Sequence, residues 1–106
     1  MITVTLFRVD GSVTRVTAEG HSGLAESGSD VLCAAVSALV QTAYLAISDI
    51  SHGKAEFKRD DERAYFEFTV PKLADRHDAD VILRAMCLGL QDLSSGFPQN
   101  LKLEDA

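Results

Sequence analysis

Residues 19–37 read EGHSGLAESGSDVLCAAVS, and this stretch joins a predicted β-strand to a predicted apolar helix. Its first part is small, polar and rich in glycine, and it contains His21. Its second part opens the helix and carries Cys33 close to the helix start. Because the strand runs through this loop into the helix, the strand end and the helix start are expected at the same edge of the sheet. The stretch is therefore either an ordinary connection or a cysteine nucleophile together with its base.

The residues that flank this stretch predict a hairpin before it and a long helix after it. Residues 2–9 and 12–20 are rich in β-branched side chains, and the Asp10-Gly11 dipeptide between them suits a tight antiparallel turn. After the loop, apolar residues recur with helical spacing. The helical run stops at His52-Gly53, a predicted C-terminal cap.

The second half of the chain repeats this order of elements. Residues 54–59 and 63–70 flank an acidic turn and predict a second hairpin. A second amphipathic helix is predicted from Asp78 to about Leu93, and the tail NLKLED predicts a short strand. The predicted fold class is α+β, as one ββαββα(β) domain over residues 1–106. Its sheet is mixed or antiparallel, with both helices on one face.

Composition limits the function classes. The chain has 106 residues, a 46% hydrophobic fraction and a formal net charge of −6, which predicts one ordinary globular domain and disfavours direct binding of nucleic acid. The longest apolar region is interrupted by serine, glutamine and threonine, so no membrane span is expected. Two cysteines inside predicted helices fit a reducing compartment, which indicates a cytoplasmic protein.

Cys33 has the position of a reactive thiol. The helix is expected to begin at Ser29 or Asp30, since either side chain can cap a free N–H group, and Cys33 then ends the first turn. Unsatisfied N–H groups and the helix dipole favour a thiolate there and could hold an oxyanion. The 11 residues between His21 and Cys33 permit the imidazole to reach the sulfur without enforcing it.

The remaining histidines and the second cysteine are interpreted as structural. His52 lies 19 residues beyond Cys33 on one helix, about 28 Å away, and is interpreted as a capping residue. His77 precedes the second predicted helix and is expected to be a solvated loop residue. Cys87 lies in the middle of that helix, where a thiol is usually a small, inert hydrophobic group.

Residue types alone leave several alternatives open. The loop glycines can be turn residues, Asp30 only a cap and Cys33 only a core residue. A cysteine and a histidine twelve positions apart are compatible with a hydrolase, a redox sensor or no chemistry at all.

The segment GHSGLAESGSDVLCAAVSALVQTA closely resembles the signature of the ribosomal-processing cysteine protease family, Prp, also called YsxB-like. That signature pairs Gly-His with a downstream Gly-x-Asp, two hydrophobic residues and Cys-Ala-Ala-Val-Ser. The resemblance extends over nearly the whole chain and implies a small α+β homodimer that needs no metal or cofactor. It implies cleavage of the N-terminal extension of large-subunit ribosomal protein L twenty-seven, just after an aromatic-rich segment. By this resemblance, His21 and Cys33 match the catalytic dyad.

Further residues receive supporting roles. Asp30 is expected to cap the helix, with orientation of His21 as the alternative, and the Ser37 hydroxyl lies one turn after Cys33 on the same face. The loop 22–29 suits a substrate flap, which would include the residues Ser22, Gly23, Leu24 and Gly28. At Ser22-Gly23-Leu24 the chain departs from the alanine and aromatic residue that family members often carry. The rival function classes are a non-catalytic acidic dimer that binds a basic ribosomal protein, and a redox-sensing thiol.

Overall fold

The residues that the structure describes form one five-stranded sheet and two long helices. A computed structural model describes residues 1–21, 23, 30–72 and 74–106. The elements, in chain order, are β1 (Ile2–Val9), β2 (Ser12–Glu19), α1 (Val31–Ile50), β3 (Glu56–Asp60), β4 (Tyr65–Thr69), α2 (Arg76–Gly96) and β5 (Leu101–Asp105). The strand order is β3-β4-β2-β1-β5. The predicted ββαββα(β) order is confirmed. Among the described strands, β1 and β5 pair in parallel and the other pairings are antiparallel, so the sheet is mixed.

The first hairpin forms as its sequence predicts. Asp10 and Gly11 both adopt left-handed backbone angles, with φ of 52° and 83°, which is what a tight two-residue turn between antiparallel strands requires. Burial then alternates along β1, where Ile2, Val4 and Leu6 are buried and the residues between them are only partly covered. One face of the sheet therefore carries the core, which it shares with the inner faces of α1 and α2.

The start and the end of α1 are fixed by capping residues. The Asp30 carboxylate accepts a hydrogen bond from the Cys33 backbone N–H at 3.1 Å, which makes Asp30 the N-cap. At the other end, His52 takes the left-handed conformation, with φ of 57°. The predicted stop at His52-Gly53 is thus in the right place, although the histidine and not the glycine adopts the left-handed angle.

The second helix is longer than predicted. Asp75 is its N-cap and accepts a hydrogen bond from the Asp78 N–H at 3.1 Å, so α2 begins at Arg76 and not at Asp78. It continues to Gly96, where the Phe97 N–H donates to the Leu93 carbonyl at 2.9 Å. His77 consequently lies in the first turn of α2, exposed, and the expectation of a loop position was wrong.

By length and composition, α1 could cross a membrane, contrary to the expectation from its interrupted apolar run. It has 20 residues and a mean hydropathy of 1.8 in its most apolar window. The core helix of a globular protein passes the same test, and five residues of α1 are buried in the core: Leu32, Val36, Val40, Ala43 and Ile47. Length and apolar composition are therefore weak evidence for a membrane role.

Candidate active site

Cys33 lines a cavity of about 150 Å³ between the first half of α1 and the sheet. The ends of β2 and β3 and the start of β4 form the opposite wall. The helix contributes Cys33, Val36, Ser37 and Gln41, and the other walls contribute Ile2, Ala18, Glu19, Gly20, Phe57, Arg59, Asp61, Ala64, Tyr65 and Phe66. The Cys33 thiol therefore lies in the wall of a mostly apolar cavity at one edge of the sheet.

The surroundings of Cys33 do not favour its ionisation. Partial burial raises the pKa of the thiol, and the negative charge of Asp30 raises it further. The expectation that the helix start would lower this pKa is therefore not met, because removal of the sulfur from water and the nearby carboxylate act in the opposite direction. A raised pKa leaves less thiolate at neutral pH, so chemistry at the sulfur calls for a base.

The backbone before His21 is anchored at the same edge of the sheet. Gly20 lines the cavity, and its N–H donates to the Ala64 carbonyl at 2.9 Å. Gly20 has φ of 103°, and a Cβ atom there would collide with the Met1 carbonyl oxygen. The exposed His21 therefore leaves the sheet directly beside the cavity that holds Cys33. A contact between the imidazole and the thiol stays a prediction.

Asp30 and Ser37 both lie beside Cys33. Asp30 is 7% exposed and holds the Cys33 N–H, so its capping role is present in the structure. An additional role in the orientation of His21 stays a prediction. Ser37 lines the same cavity as Cys33 and confirms that the two side chains share a face of α1.

The predicted flap falls largely outside the described residues. Ser22, Leu24 and Gly28 are not among them, so the flap stays a prediction. Gly23 is described and has φ of 81°, a left-handed angle that suits glycine.

Several residues of the cavity were not singled out from the sequence. The Phe57 and Phe66 rings stack in its wall with centroids 6.0 Å apart, and Arg59 forms an ion pair with Asp61 at 2.6 Å. These residues reach the cavity because β4 pairs with β2, and no local sequence pattern reveals that pairing. Gln41 could have been found from the sequence. It lies four residues after Ser37 and eight after Cys33, a spacing that places the three side chains on one face of a helix.

Cys87 and the other histidines lie apart from this arrangement. Cys87 packs partly buried against the core, and burial raises its thiol pKa, as expected of an inert cysteine. His52 is exposed at the far end of α1. Within residues 1–21, 23, 30–72 and 74–106, no group of three histidine, cysteine or acidic side chains could hold a metal ion.

The fold and the cavity together define a class of protein. A thiol in the first turn of a helix, with a histidine at the end of the adjoining strand, is an arrangement that thiol hydrolases use. The chain is thus a small α+β protein with a cysteine-lined cavity at the edge of the sheet where His21 follows β2.

Comparison with known proteins identifies the family within this class. The family model described as Cysteine protease Prp matches residues 1–102, so the chain belongs to the cysteine protease Prp family and is a cysteine protease. The ribosomal processing cysteine protease Prp of Staphylococcus aureus strain Mu50 is 30% identical over 104 residues, which cover 97% of each chain.

Two solved structures of S. aureus Prp share the fold over their full length. The complex with a covalently linked product peptide aligns with a TM-score of 0.90 at 29% identity, and the complex with a substrate peptide aligns with 0.86 at 28% identity. Each alignment covers 100% of both chains.

Proposed function

We propose that the chain removes the N-terminal extension of large-subunit ribosomal protein L twenty-seven by hydrolysis of one peptide bond, with Cys33 as nucleophile and His21 as base. The observation that carries the proposal is the position of Cys33, in the first turn of α1 and at the wall of a cavity. This chain aligns over nearly its full length with relatives named as ribosomal processing proteases. Their name supports a ribosomal protein as the substrate.

The proposed reaction needs no group beyond the protein and water. His21 takes the proton of the Cys33 thiol, and the sulfur then forms a bond to the scissile carbonyl carbon. The oxyanion is stabilised by N–H groups at the start of α1 other than those of Cys33 and Ala34, which already donate to Asp30. As the carbon–nitrogen bond breaks, His21 gives its proton to the leaving amine. Water, activated by His21, then attacks the thioester and releases a carboxylic acid and the free thiol.

The cavity supports a hydrophobic residue next to the cleaved bond. An apolar protein cavity of about 150 Å³ can hold a molecule the size of benzene, and the cavity beside Cys33 has about this volume. Phe57, Phe66 and Val36 supply apolar walls. One large apolar side chain of the substrate therefore fits there.

Incubation with a peptide that spans the extension, followed by mass spectrometry, tests the proposal. The wild-type chain is expected to cut the peptide at one bond after its hydrophobic segment. Cys33→Ala removes the nucleophile and should abolish the cut, whereas Cys87→Ser should keep it. Cleavage by the Cys33→Ala variant would show that the nucleophile is elsewhere.

A second copy of the chain and a cytoplasmic location belong to the same proposal. The helices expose large apolar side chains, including Leu45 at 62% and Leu88 at 59%, which supports burial against a homodimer partner. Two free cysteines suit a reducing compartment.

A further inference from the structure

Gln41 is the third member of a polar row on α1. Cys33, Ser37 and Gln41 are spaced by four residues, and all three line the same cavity. At a rise of about 1.5 Å per residue, Gln41 lies about 12 Å along the helix axis from Cys33. The row therefore runs from the thiol along the α1 side of the cavity.

The Gln41 side chain is available to a ligand. Gln41 is exposed, and no hydrogen bond joins its carboxamide to another described residue. Beyond it, Tyr44 packs on Phe57 with ring centroids 4.9 Å apart, so an aromatic contact fixes the helix against β3 one turn later. A carboxamide carries both a donor and an acceptor, which is the complement of a peptide group.

We propose that Gln41 is a substrate-binding residue whose side-chain oxygen accepts a hydrogen bond from a main-chain N–H three or four residues from the cleaved bond. The inference rests on the proposed protease function and on an extended substrate that follows α1. An extended chain advances about 3.4 Å per residue, so about 12 Å corresponds to three or four residues. Gln41 then sets the register in which the peptide meets Cys33.

An N-methyl scan of the substrate peptide tests this assignment. Synthetic peptides carry one N-methyl group each, at successive residues on both sides of the cleaved bond, and kcat/KM is measured for wild type and for Gln41→Ala. Alanine is a good helix former at an exposed position, so the variant should fold. Gln91→Ala is the matched control, because Gln91 lies on α2 beside a different cavity.

The expected result is a position-specific interaction. For wild type and Gln91→Ala, methylation at the third or fourth residue should lower kcat/KM about two- to tenfold more than at neighbouring positions, the size of one net hydrogen bond. In Gln41→Ala this extra loss should disappear, and the unmethylated peptide should be cut about two- to tenfold more slowly than by wild type.

Two results would overturn the assignment, and they distinguish failure of the Gln41 role from failure of the proposed function. If wild type cuts the peptides but Gln41→Ala shows the same methylation profile, Gln41 does not accept a hydrogen bond from the substrate main chain, while the protease function stands. If wild type cuts none of the peptides, the proposed function fails and the role of Gln41 fails with it.

Discussion

Asp30 stabilises the start of α1 and at the same time opposes the ionisation of Cys33. Its carboxylate accepts the Cys33 N–H at 3.1 Å, and its charge helps to raise the pKa of the Cys33 thiol. Hydrogen bonding of a backbone group and repulsion of a thiolate both follow from one carboxylate close to the helix start. The two effects can be separated, because only the second requires a charge.

Replacement of Asp30 by asparagine should lower the pKa of Cys33. Asparagine caps helices about as well as aspartate, so α1 should keep its start while the charge disappears. Burial, the larger cause of the raised pKa, remains, so the pKa should stay above that of a free thiol. The pH dependence of Cys33 alkylation by iodoacetamide, measured in a Cys87→Ser background, reports the change.

The direction of the change follows from the charge. Alkylation requires the thiolate, so a lower pKa should shift the alkylation curve of Asp30→Asn to lower pH than that of the parent. An unchanged midpoint would mean that the Asp30 charge does not act on the sulfur.

Replacement of His21 by alanine should lower turnover about 10²- to 10⁴-fold, the usual contribution of a general base. Because the pKa of Cys33 is raised, the thiol depends on that base near neutral pH. The pH profile of kcat/KM for wild type should be bell-shaped, with two apparent values that belong to the coupled pair. His21→Ala should lose one limb of the bell.

His52→Ala and His77→Ala are the matched controls, since both residues are exposed and one lies at the far end of α1. They should keep the shape of the profile. An unchanged bell with wild-type turnover in His21→Ala would direct the search to a base from another subunit.

The residues of the candidate site differ in how far the sequence predicts them. Asp30 and Cys33 were placed correctly because a capping interaction spans only three residues. The direction of the Cys33 pKa was wrong, since burial depends on the packing of distant strands and cannot be read from the helix start alone. Phe57 and Phe66 were missed for the same reason.

At the level of elements, the end of β2 depends on one glycine. Gly20→Ala should destabilise the fold by about 1–3 kcal/mol, because the new Cβ meets the Met1 carbonyl and φ is 103°. A loss of that size lowers Tm by at least about 4 °C in a domain of this length, which calorimetry measures. Activity should fall as well, since His21 follows directly.

Gly11→Ala separates the two causes of this loss. Gly11 also has a left-handed φ, of 83°, but a Cβ there meets nothing within 4 Å. Gly11→Ala should therefore lose only the free energy that the left-handed backbone angle costs alanine. Its destabilisation should be smaller than that of Gly20→Ala. Equal losses for both variants would contradict the collision with Met1.

The sequence predicts the order of the elements better than their pairing. The Asp10-Gly11 turn and the alternation in β4 are local patterns, and both hairpins formed as expected. The parallel pairing of β1 with β5 joins the two ends of the chain, and no local pattern encodes it. The start of α2 was predicted too late, at Asp78, because the apolar pattern begins there, whereas the hydrogen bond from the Asp78 N–H shows that Asp75 is the cap.

At the level of the whole molecule, the two helices leave apolar surface uncovered. Sedimentation equilibrium should give about twice the chain mass of 11.4 kDa. Leu45→Glu, which places a charge on the exposed side of α1, should shift the equilibrium toward the monomer if that side forms the contact. A wild-type monomer at micromolar concentration would contradict the dimer and leave the chemistry at Cys33 unaffected.

The net charge of −6 predicts how the proposed basic substrate reaches the cavity. Opposite charges speed the encounter, and salt screens them over a distance of about 10 Å at 0.1 M, so kcat/KM should fall about tenfold from low to physiological salt. Turnover at saturation should change little, because steering acts before the chemical step. A peptide with the same cleaved bond, in which neutral residues replace the basic ones, is the control and should lose most of this dependence. Equal salt dependence for the two peptides would show that the acidic surface does not guide the substrate, and the charge would then have to be explained by solubility alone.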